Sequence, residues 1–375
     1  KVNIMGRTCD KQTQKEVSNH VLKVYISSME SKDIFVDVFA GNSAIELKDK
    51  LGSSEKVVLT GHRSPDGDAV GSCLALWNHL KEHGVESTVV LPDAFPTFIS
   101  WMNGKDEIVL HSQNPEAAEK LIEEADVLFV LDYNDSSRVG DMQGSLDKSN
   151  AFKVMIDHHQ QPSDFVDLTF SDEKSCSTAE MVYRLIERWG QKDELSAASA
   201  ACLYCGIMTD SGSFRFPSVT PRTHRIAAAL CETGIDHADI HSRVYDNNRE
   251  GQLKLVGYAL TEKLEVFPEH HSAIISLSLE ELARFGYEKG DTEGLVNRAL
   301  SVEGVNFAAF VKESEDRVKL SLRSVGEFSV RDFSSDHFGG GGHHNAAGGA
   351  SSESLQEVVS KIRGLLPEYS SKLNY

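Results

Sequence analysis

The chain has 375 residues, which is long enough for two domains of ordinary size. Its hydrophobic fraction of 40% and charged fraction of 25% are typical of a globular protein that folds in water. With 57 acidic and 38 basic residues, the net charge is −19, which argues against a broad basic surface that coats long nucleic acid. A small polyanion can still bind where cations are concentrated at one site.

The sequence also bears on the cell compartment. No apolar stretch approaches the roughly 20 residues needed to cross a bilayer, and the N-terminal segment lacks the apolar core of a secretory signal. The six cysteines have no disulfide-framework spacing. Cys202 and Cys205 form one Cys-x-x-Cys pair, but a zinc ribbon needs a second pair, so we interpret them as buried helical thiols. These features predict a cytoplasmic protein without membrane association.

Strands and helices alternate in the first part of the chain. Residues 1–45 are mixed in character and form a predicted N-terminal extension of unclear role. From Glu55 onward, strands are predicted in KVVLTG, ESTVVLP, DVLFVLD and FKVMID, and helices at 69–83 and in PEAAEKLIEEA. Ser177 and Glu180 predict a capping box that opens the helix TAEMVYRLIERWG. This order predicts an α/β domain at 46–237, with a mostly parallel sheet and helices on both faces.

The pattern changes after this domain. Residues 238–265 are polar, follow a helical period and carry no strand signal, which predicts a helical connector. Beyond them, HSAIISLSL, VNFAAFVKE and RVKLSLRSV alternate apolar and polar residues, as half-buried strands do. The sequence therefore predicts a smaller α+β domain at 266–375, across a cleft from the first domain.

Acids and histidines gather after the predicted strands of the first domain. They are His62, Asp66, Asp68, Asp132, Asp157, His158, His159 and Asp210, the last after CLYCGIMT, which we count as a fourth strand end. In an open parallel sheet the carboxyl ends of the strands meet at one edge, where ligands bind. Each acid alone also has an ordinary interpretation, since Asp68 before AVGSCLALW suits a helix cap.

Together these residues indicate divalent cations. Five aspartates and three histidines at one edge would repel one another and be costly to desolvate, and bound cations are the simplest compensation. Ligands dominated by carboxylates suit Mn²⁺ or Mg²⁺ better than tetrahedral zinc. Two ions roughly 3.5–4 Å apart can clamp the attacking and leaving oxygens of a phosphoryl group. This predicts a hydrolase of phosphoesters or phosphoanhydrides, with a metallo-amidase as the alternative.

A glycine-rich segment in the second domain points to an anion. FGGGGHHNAAGGA could be a flexible linker, but it carries His343 and Asn345 and leads into the predicted helix SLQEVVSKIRGLL. Glycines let backbone N–H groups approach an anion closely, and His343 can contact a phosphate. Upstream, Arg323 lies within the strand KLSLRSVG. We favour anion binding by this segment and Arg323 over a solvated linker and surface residue.

These residues resemble a known family. GHRSPDGDAVGS, LD at 131–132, IDHH at 156–159 and TDSG at 209–212 look like the four motifs of the DHH phosphoesterases. SLRS and GGGGHHNAAGG resemble the DHHA1 domain that faces nucleic acid in that family. Within it, the chain is similar to the NrnA-type nanoRNases, which cleave short oligoribonucleotides and dephosphorylate pAp (3′-phosphoadenosine 5′-phosphate). The likeness covers about residues 46–375.

The resemblance implies a role for each candidate residue. One Mn²⁺ would be held by His62, Asp66 and Asp132, and a second by Asp68, Asp132, His158 and Asp210, with Mg²⁺ or Co²⁺ as substitutes. His159 would contact the scissile phosphate, and Asp157 would orient a neighbouring histidine. Arg323 and His343 would bind the phosphate and sugar end of the substrate, which Gly340, Gly341 and Gly342 would let approach closely.

The implied function is hydrolysis of nanoRNA and linear dinucleotides to mononucleotides, and removal of the 3′-phosphate of pAp. Long nucleic acid and membranes are not expected partners, and a homodimer is left open. Exopolyphosphatase or pyrophosphatase activity and cyclic-dinucleotide phosphodiesterase activity are the alternatives within the superfamily. A binding protein without catalysis is disfavoured because no motif acid is missing. No role is assigned to Arg63 or Arg215, and His344, His270 and His271 are taken as incidental.

Overall fold

Two six-stranded sheets organise residues 37–374, the part of the chain that this computed structural model describes. The strands of the first sheet are β1 (Val57–Thr60), β2 (Ser87–Leu91), β3 (Val109–Leu110), β4 (Val127–Leu131), β5 (Phe152–Asp157) and β6 (Leu168–Ser171). Their order is β3-β2-β1-β4-β5-β6, and every neighbouring pair is parallel. The predicted α/β class is confirmed.

Helices cover both faces of this sheet. They are α1 (Ser43–Leu51), α2 (Gly67–Glu82), α3 (Pro115–Glu123), α4 (Gln143–Lys148), α5 (Thr178–Arg188), α6 (Ala197–Asp210) and α7 (Pro221–Glu232). Leu59 and Phe129 pack on one face with residues of α2, α5 and α6, whereas Val58 and Leu128 pack on the other face with residues of α3 and α4. Because both faces are buried, the strands are continuous apolar runs.

The predicted N-terminal extension lies mostly outside the described residues, which begin at residue 37. Within the described part, Phe39 is 1% exposed and packs in the core of the first domain, with its ring 4.7 Å from that of Phe170. Ala44 in α1 belongs to the same core. The role of residues 1–45 stays a prediction.

The second sheet is mixed. Its domain contains α8 (His237–Tyr245), α9 (Glu250–Glu262), β7 (Leu264–Phe267), β8 (Ser272–Leu277), α10 (Leu279–Arg284), α11 (Leu295–Leu300), β9 (Phe307–Glu313), β10 (Val318–Ser324), α12 (Val330–Phe338), β11 (Gly341–His343), β12 (Ala346–Ser351) and α13 (Leu355–Leu373). The strand order is β11-β12-β10-β9-β8-β7. Only β8 and β9 are a parallel pair, and the other neighbours are antiparallel.

Two strands of this sheet correct the expectation of half-buried strands. All six residues of β8 are buried, and so are the first five of β9. Helices cover both faces here, since Ile274 packs with α13 on one side and Ile275 packs with α9, α10 and α11 on the other. Only β10 alternates strictly, with Val318, Leu320 and Leu322 buried.

The predicted helical connector at 238–265 is helical over most of its length. Helices α8 and α9 occupy most of 238–265, but β7 begins at Leu264 and pairs with β8. The strand has four residues and lies at the edge of the sheet, so it offers too short an alternation to be read from the sequence.

The predicted capping box at α5 is half present. The Ser177 hydroxyl accepts a hydrogen bond from the Glu180 backbone N–H at 3.0 Å, as expected. The buried Glu180 carboxylate does not return to Ser177 and instead accepts from Arg222 Nε and Thr223 Oγ1 of α7, at 3.0 and 2.6 Å. Tertiary partners have therefore replaced the local one. Elsewhere, Cys202 and Cys205 are buried in α6, so their interpretation as helical thiols is confirmed.

Candidate active site

The candidate residues of the first domain meet at the carboxyl edge of the first sheet. His62 lies two residues after β1, Asp132 directly follows β4, and Asp157 ends β5 with His158 next to it. β1 and β4 are neighbours at the centre of the sheet, and β5 lies beside β4. Because all strands run the same way, their polar ends are brought side by side.

Asp66 and Asp68 lie at the start of α2 and have different local roles. Asp66 caps the helix, since its carboxylate accepts from the backbone N–H groups of Asp68 and Ala69 at 3.0 and 3.1 Å. The sequence suggested Asp68 as the ordinary cap, and this is wrong. Asp68 is 1% exposed and accepts from the backbone N–H groups of Thr178 and Ala179, at 2.7 and 2.9 Å. The N-terminus of α5 thus holds this carboxylate.

Asp132 occupies the centre of the constellation. Its φ of 66° lies in the left-handed region, which non-glycine residues adopt at a cost and often at functional sites. Its carboxylate lies 3.3 Å from His62 Nε2 and 3.5 Å from His158 Nε2. It also accepts a hydrogen bond from Thr178 Oγ1 at 3.0 Å. One carboxylate therefore faces histidines from two different strands.

Asp210 lies in a different element from the one expected. CLYCGIMT is part of helix α6, and Asp210 is its last residue, so the fourth strand end is wrong. The apolar run was ambiguous because a buried helix and a buried strand are both continuously hydrophobic. The helix nevertheless brings the Asp210 carboxylate to 3.4 Å from His158 Nε2.

The donor atoms fall into two neighbouring groups. His62, Asp66 and Asp132 each offer one atom to a set in which all atoms lie within 4.8 Å of one another, and Asp68, His158 and Asp210 form a second such set. The short distance between Asp132 and His158 joins the two groups. Carboxylate oxygens with a minority of imidazole nitrogens suit Mn²⁺ or Mg²⁺, so the side chains fit a pair of such ions.

The electrostatics of these groups also favour bound cations. Burial, together with the negative charges of Asp132 and Asp210, raises the pKa of Asp68 well above its ordinary value. Burial likewise raises the pKa of Asp210 to about 7, with Asp66 and Asp132 acting in the same direction. Carboxylates packed this closely need a positive charge to stay ionised at neutral pH.

His159 lies between the two domains. Its Nδ1 donates to the fully buried Asp157 carboxylate at 2.7 Å, and its backbone N–H donates to the same carboxylate at 3.1 Å. The ring of His343, from β11 of the second domain, stacks on it with 4.6 Å between centroids and 18° between planes. The Asp157 contact fixes the ring of His159 and leaves Nε2 for a ligand.

The second domain contributes Arg323 and the glycine-rich segment. Arg323 is paired with Ala346 across β10 and β12, and Ala346 is paired with His343 across β12 and β11. Arg323 and His343 are therefore on the same face of this sheet. The charges of Asp210, in the first domain, and Glu293, in the second, both act on Arg323 and raise its pKa against the lowering effect of burial.

The three glycines of the segment differ in their surroundings. A Cβ on Gly340 would collide with the Gly348 carbonyl and the Ser334 hydroxyl, and one on Gly342 would collide with the Ala346 carbonyl. These two glycines are needed by the packing of β11 against β12. A Cβ on Gly341 would meet open space, so this is the glycine whose bare backbone faces outward.

Several residues near the site were not found from the sequence. Thr178 was treated only as the start of a helix, although its hydroxyl contacts Asp132. Arg138 follows β4 in a 3₁₀ segment, and its charge acts on His62 and His343. Glu293 acts on Arg323 from a loop of the second domain. The signal for Thr178 and Arg138 was their position after elements that end at the site, whereas Glu293 lies in an irregular segment without a pattern.

The arginines and histidines without an assigned role are not members of the two donor groups, although the Arg63 carbonyl lies 2.9 Å from His62 Nδ1. Arg63 and Arg215 are exposed, and the guanidinium of Arg215 lies 5.4 Å from the centre of the Phe216 ring. The His344 carbonyl accepts from Val330 N, and His270 Nδ1 lies 2.6 Å from Ser370 Oγ. No helix within residues 37–374 is long and apolar enough to cross a membrane.

Two family models match the chain, one in each domain. Residues 56–207 match the N-terminal domain of the DHH family, and residues 272–368 match the DHHA1 domain. The NrnA bifunctional oligoribonuclease and PAP phosphatase of Thermus thermophilus is 32% identical over 278 residues, 74% of this chain and 79% of that protein.

Two solved structures extend the comparison. An exopolyphosphatase-related protein from Bacteroides fragilis has 40% sequence identity and a TM-score of 0.85, over 89% of this chain and 98% of that one. RecJ of Thermus thermophilus in complex with Mn²⁺ has a TM-score of 0.52 at 12% identity, over 92% of this chain and 56% of that one. The second likeness shows a shared fold.

Proposed function

The chain belongs to the DHH family of phosphoesterases, and from this premise we propose that it is a cytoplasmic Mn²⁺-dependent hydrolase of short oligoribonucleotides that also removes the 3′-phosphate of pAp. The observation that carries the proposal is the pair of donor groups joined through Asp132. The similarity to a bifunctional oligoribonuclease and PAP phosphatase supports the substrate class.

The proposal assigns each donor group to one cation. His62, Asp66 and Asp132 would hold the first, and Asp68, His158 and Asp210 would hold the second together with Asp132. When bound, the two cations would supply the positive charge that offsets the phosphoryl oxygens and would lower the pKa of water. The N-terminus of α5 keeps the Asp68 carboxylate in place through two backbone hydrogen bonds.

Side chains of both domains would bind the substrate. With a proton on each nitrogen, His159 donates to Asp157 through Nδ1 and can donate through Nε2 to an oxygen of the scissile phosphate. His343 would contact the same phosphate from the second domain, since its ring stacks directly on that of His159. Arg323 would bind a phosphate through its planar guanidinium, which can donate two parallel hydrogen bonds.

The charge distribution favours short substrates. With a net charge of −19, most of the surface repels a long polyanion. Arg138 and Arg323 bring positive charge to the site itself, from the first and second domain respectively. A short oligonucleotide can be held by these local cations without extending over the acidic surface, so we expect length selectivity.

A second candidate function is hydrolysis of polyphosphate. The similarity to the exopolyphosphatase-related protein of Bacteroides fragilis favours it. A polyphosphate offers phosphates but no sugar or base, so it would use the donor groups, the two histidines and Arg323 without any contact to a nucleoside. The two functions are therefore separable by substrate.

Turnover of several substrates under identical conditions tests the proposal. Purified protein with Mn²⁺ is given pAp, RNAs of two to five nucleotides, a long RNA, a cyclic dinucleotide and polyphosphate, and released mononucleotide or phosphate is measured. We expect the short RNAs and pAp to be hydrolysed with the highest kcat/KM. Preference for polyphosphate, long RNA or the cyclic dinucleotide would overturn the proposal.

A further inference from the structure

One face of β10 is partly exposed beside the candidate site. Lys319, Ser321 and Arg323 alternate with the buried residues of this strand and project from the same face. Across the ladder they are paired with Ala350, Gly348 and Ala346 of β12, whose small side chains leave the face flat. Arg323 and Lys319 are four residues apart, which corresponds to roughly 13 Å along the strand.

Lys319 lies opposite another lysine. In the antiparallel register of β9 and β10 it is paired directly with Lys312. Like charges at paired positions of a sheet are destabilising. Lys312 is held by a hydrogen bond of 2.6 Å from Nζ to Tyr287 Oη, whereas Lys319 is exposed. Within residues 37–374, neither lysine has a carboxylate oxygen within 4.0 Å, so the pair has no direct ion-pair partner, although Asp316 acts on Lys319 and Glu293 interacts with Lys312 from greater distances.

A third cation comes from the first domain. The backbone N–H of Arg63 donates to the Arg138 carbonyl at 2.7 Å. A Cβ on Gly140 would lie 2.9 Å from Arg63 Cδ, so the glycine provides the space in which the Arg63 side chain lies. Arg63 also has no carboxylate within ion-pair distance in the described part of the chain. Burial and the charges of Lys312, Arg63 and Arg317 lower the pKa of Lys319, whereas Asp316 acts in the opposite direction.

We propose that Lys319, Lys312 and Arg63 form a second phosphate subsite, which holds a backbone phosphate of an oligoribonucleotide beyond the nucleotide bound at the candidate active site. This inference rests on the proposed oligoribonuclease function. The observation behind it is a pair of lysines that face each other across β9 and β10 without a carboxylate within ion-pair distance in the described residues. Arg63 of the other domain acts electrostatically on Lys319. An anion with several oxygens offsets the repulsion among the three cations.

The position of this subsite distinguishes the two proposed substrates. The separation of roughly 13 Å between Arg323 and Lys319 exceeds one nucleotide of an extended strand. A mononucleotide such as pAp bound at Arg323 ends before it reaches Lys319. A longer RNA presents a further phosphate to the lysine pair. The subsite should therefore contribute to the KM of oligonucleotides and not to that of pAp.

The test compares Lys319→Gln with wild type on a five-nucleotide RNA and on pAp. Lys372→Gln is the matched control, because this exposed lysine lies on α13, which covers the opposite face of the sheet. We expect Lys319→Gln to raise KM for the RNA about five- to tenfold and that for pAp less than about twofold. The dependence of log KM for the RNA on log salt should become shallower by about 0.7.

Arg63→Gln is the second variant and should act in the same direction, which tests that the subsite is built by both domains. Equal effects of Lys319→Gln on both substrates, or effects no larger than those of Lys372→Gln, would overturn the subsite alone. A wild-type protein that hydrolyses neither substrate would instead overturn the proposed function, and the subsite with it. Circular dichroism and Tm establish that each variant is folded.

Discussion

The two sheets place their polar side chains in different ways. In the first sheet all strands are parallel, and the acids and histidines follow the carboxyl ends of β1, β4 and β5. In the second sheet only β8 and β9 are parallel, and the candidate residues project from one face of β10 and β11. Parallel strands concentrate side chains at one edge, whereas a mixed sheet has no common edge and must use a face.

This difference matches the two proposed roles, which are metal binding by the first sheet and substrate binding by the second. An edge where several strand ends converge can pack many donor atoms within a few ångströms, which suits a compact metal centre. A face with small residues offers a flat surface on which an extended ligand can lie. If this division is correct, substitutions at the edge should impair metal binding, and substitutions on the face should impair substrate binding alone.

The largest effect is expected at Asp132. Asp132→Asn keeps the size of the side chain and tolerates the positive φ of 66°, but it removes the charge shared by both donor groups. We expect kcat to fall by about 10³-fold or more. The rise in Tm that Mn²⁺ produces should also be lost, which is measured by thermal unfolding with and without the ion.

Asp141→Asn is the matched control for this change, since Asp141 is an exposed acid that follows the same strand. It should leave kcat and the Mn²⁺-dependent Tm within error of wild type. Appreciable turnover by Asp132→Asn, with the metal response intact, would show that the edge does not depend on this carboxylate.

The next largest effect is expected on the face, at Arg323. Arg323→Ala removes the guanidinium on which the charge of Asp210 acts, and we expect KM for short RNA to rise about 10- to 100-fold. Arg323→Lys keeps the charge but not the paired donors, so it should recover only part of the loss. The Mn²⁺-dependent Tm should not change in either variant. An unchanged KM would remove Arg323 from the substrate site.

Much of the first domain followed from its sequence. Strands that are buried on both faces leave continuous apolar runs, so β1, β4 and β5 were recognisable and the residues after them could be grouped. The same property misled at Asp210, because a buried helix such as α6 is also apolar throughout. The group of residues at the carboxyl edge of the first sheet could still be predicted, because α6 ends at the position where a strand would have ended.

The second domain was harder to infer. The alternation of buried and exposed residues along β10 predicts that Lys319, Ser321 and Arg323 share a face. Their pairing with β9 and β12 depends on the long-range register of the strands, which the sequence does not show. The stack of His343 on His159 joins residues that are 184 positions apart, and no local pattern contains that information. Cross-strand pairs such as Lys312 and Lys319 can be recognised only when the register of β9 and β10 is known.

A smaller effect, on stability, should distinguish Gly340 from Gly341 in the glycine-rich segment. Gly340→Ala forces its Cβ against the Gly348 carbonyl, so we expect a loss of about 1–3 kcal/mol in unfolding free energy and a displaced His343. Gly341→Ala is the matched control for stability, because its Cβ would enter open space and should cost less than about 0.5 kcal/mol. Urea denaturation measures both.

Activity assays then distinguish structure from substrate contact. Gly341→Ala should raise KM for short RNA without a change in stability, if the substrate approaches this backbone. An unaltered KM would mean that the glycines serve only the packing of β11 against β12, and that the face binds its ligand through Arg323 and His343.

The smallest effect concerns Glu281 in α10, a helix that packs against the second sheet. The Glu281 side chain, 19% exposed, resists ionisation because of burial, but hydrogen bonds from Lys263 Nζ, Tyr258 Oη and Ser278 N lower its pKa to about 2. Since this pKa lies below its ordinary value of 4.5, the ionised group stabilises the fold above that pH. The contribution, about 2 kcal/mol after allowance for partial exposure, should be lost as pH falls from 4.5 towards 2.

Glu281→Gln keeps the length of the side chain and removes the charge, and Glu280→Gln removes a neighbouring exposed charge as the control. The urea midpoint of Glu281→Gln should lie below that of wild type at pH 7, and the difference should shrink between pH 4.5 and pH 3. A constant difference across this range would mean that packing, and not ionisation, is what Glu281 contributes. Because Glu281 lies in α10 and contacts Lys263, Tyr258 and Ser278 and no residue of the donor groups, kcat at pH 7 should follow wild type, in contrast to every substitution at the edge.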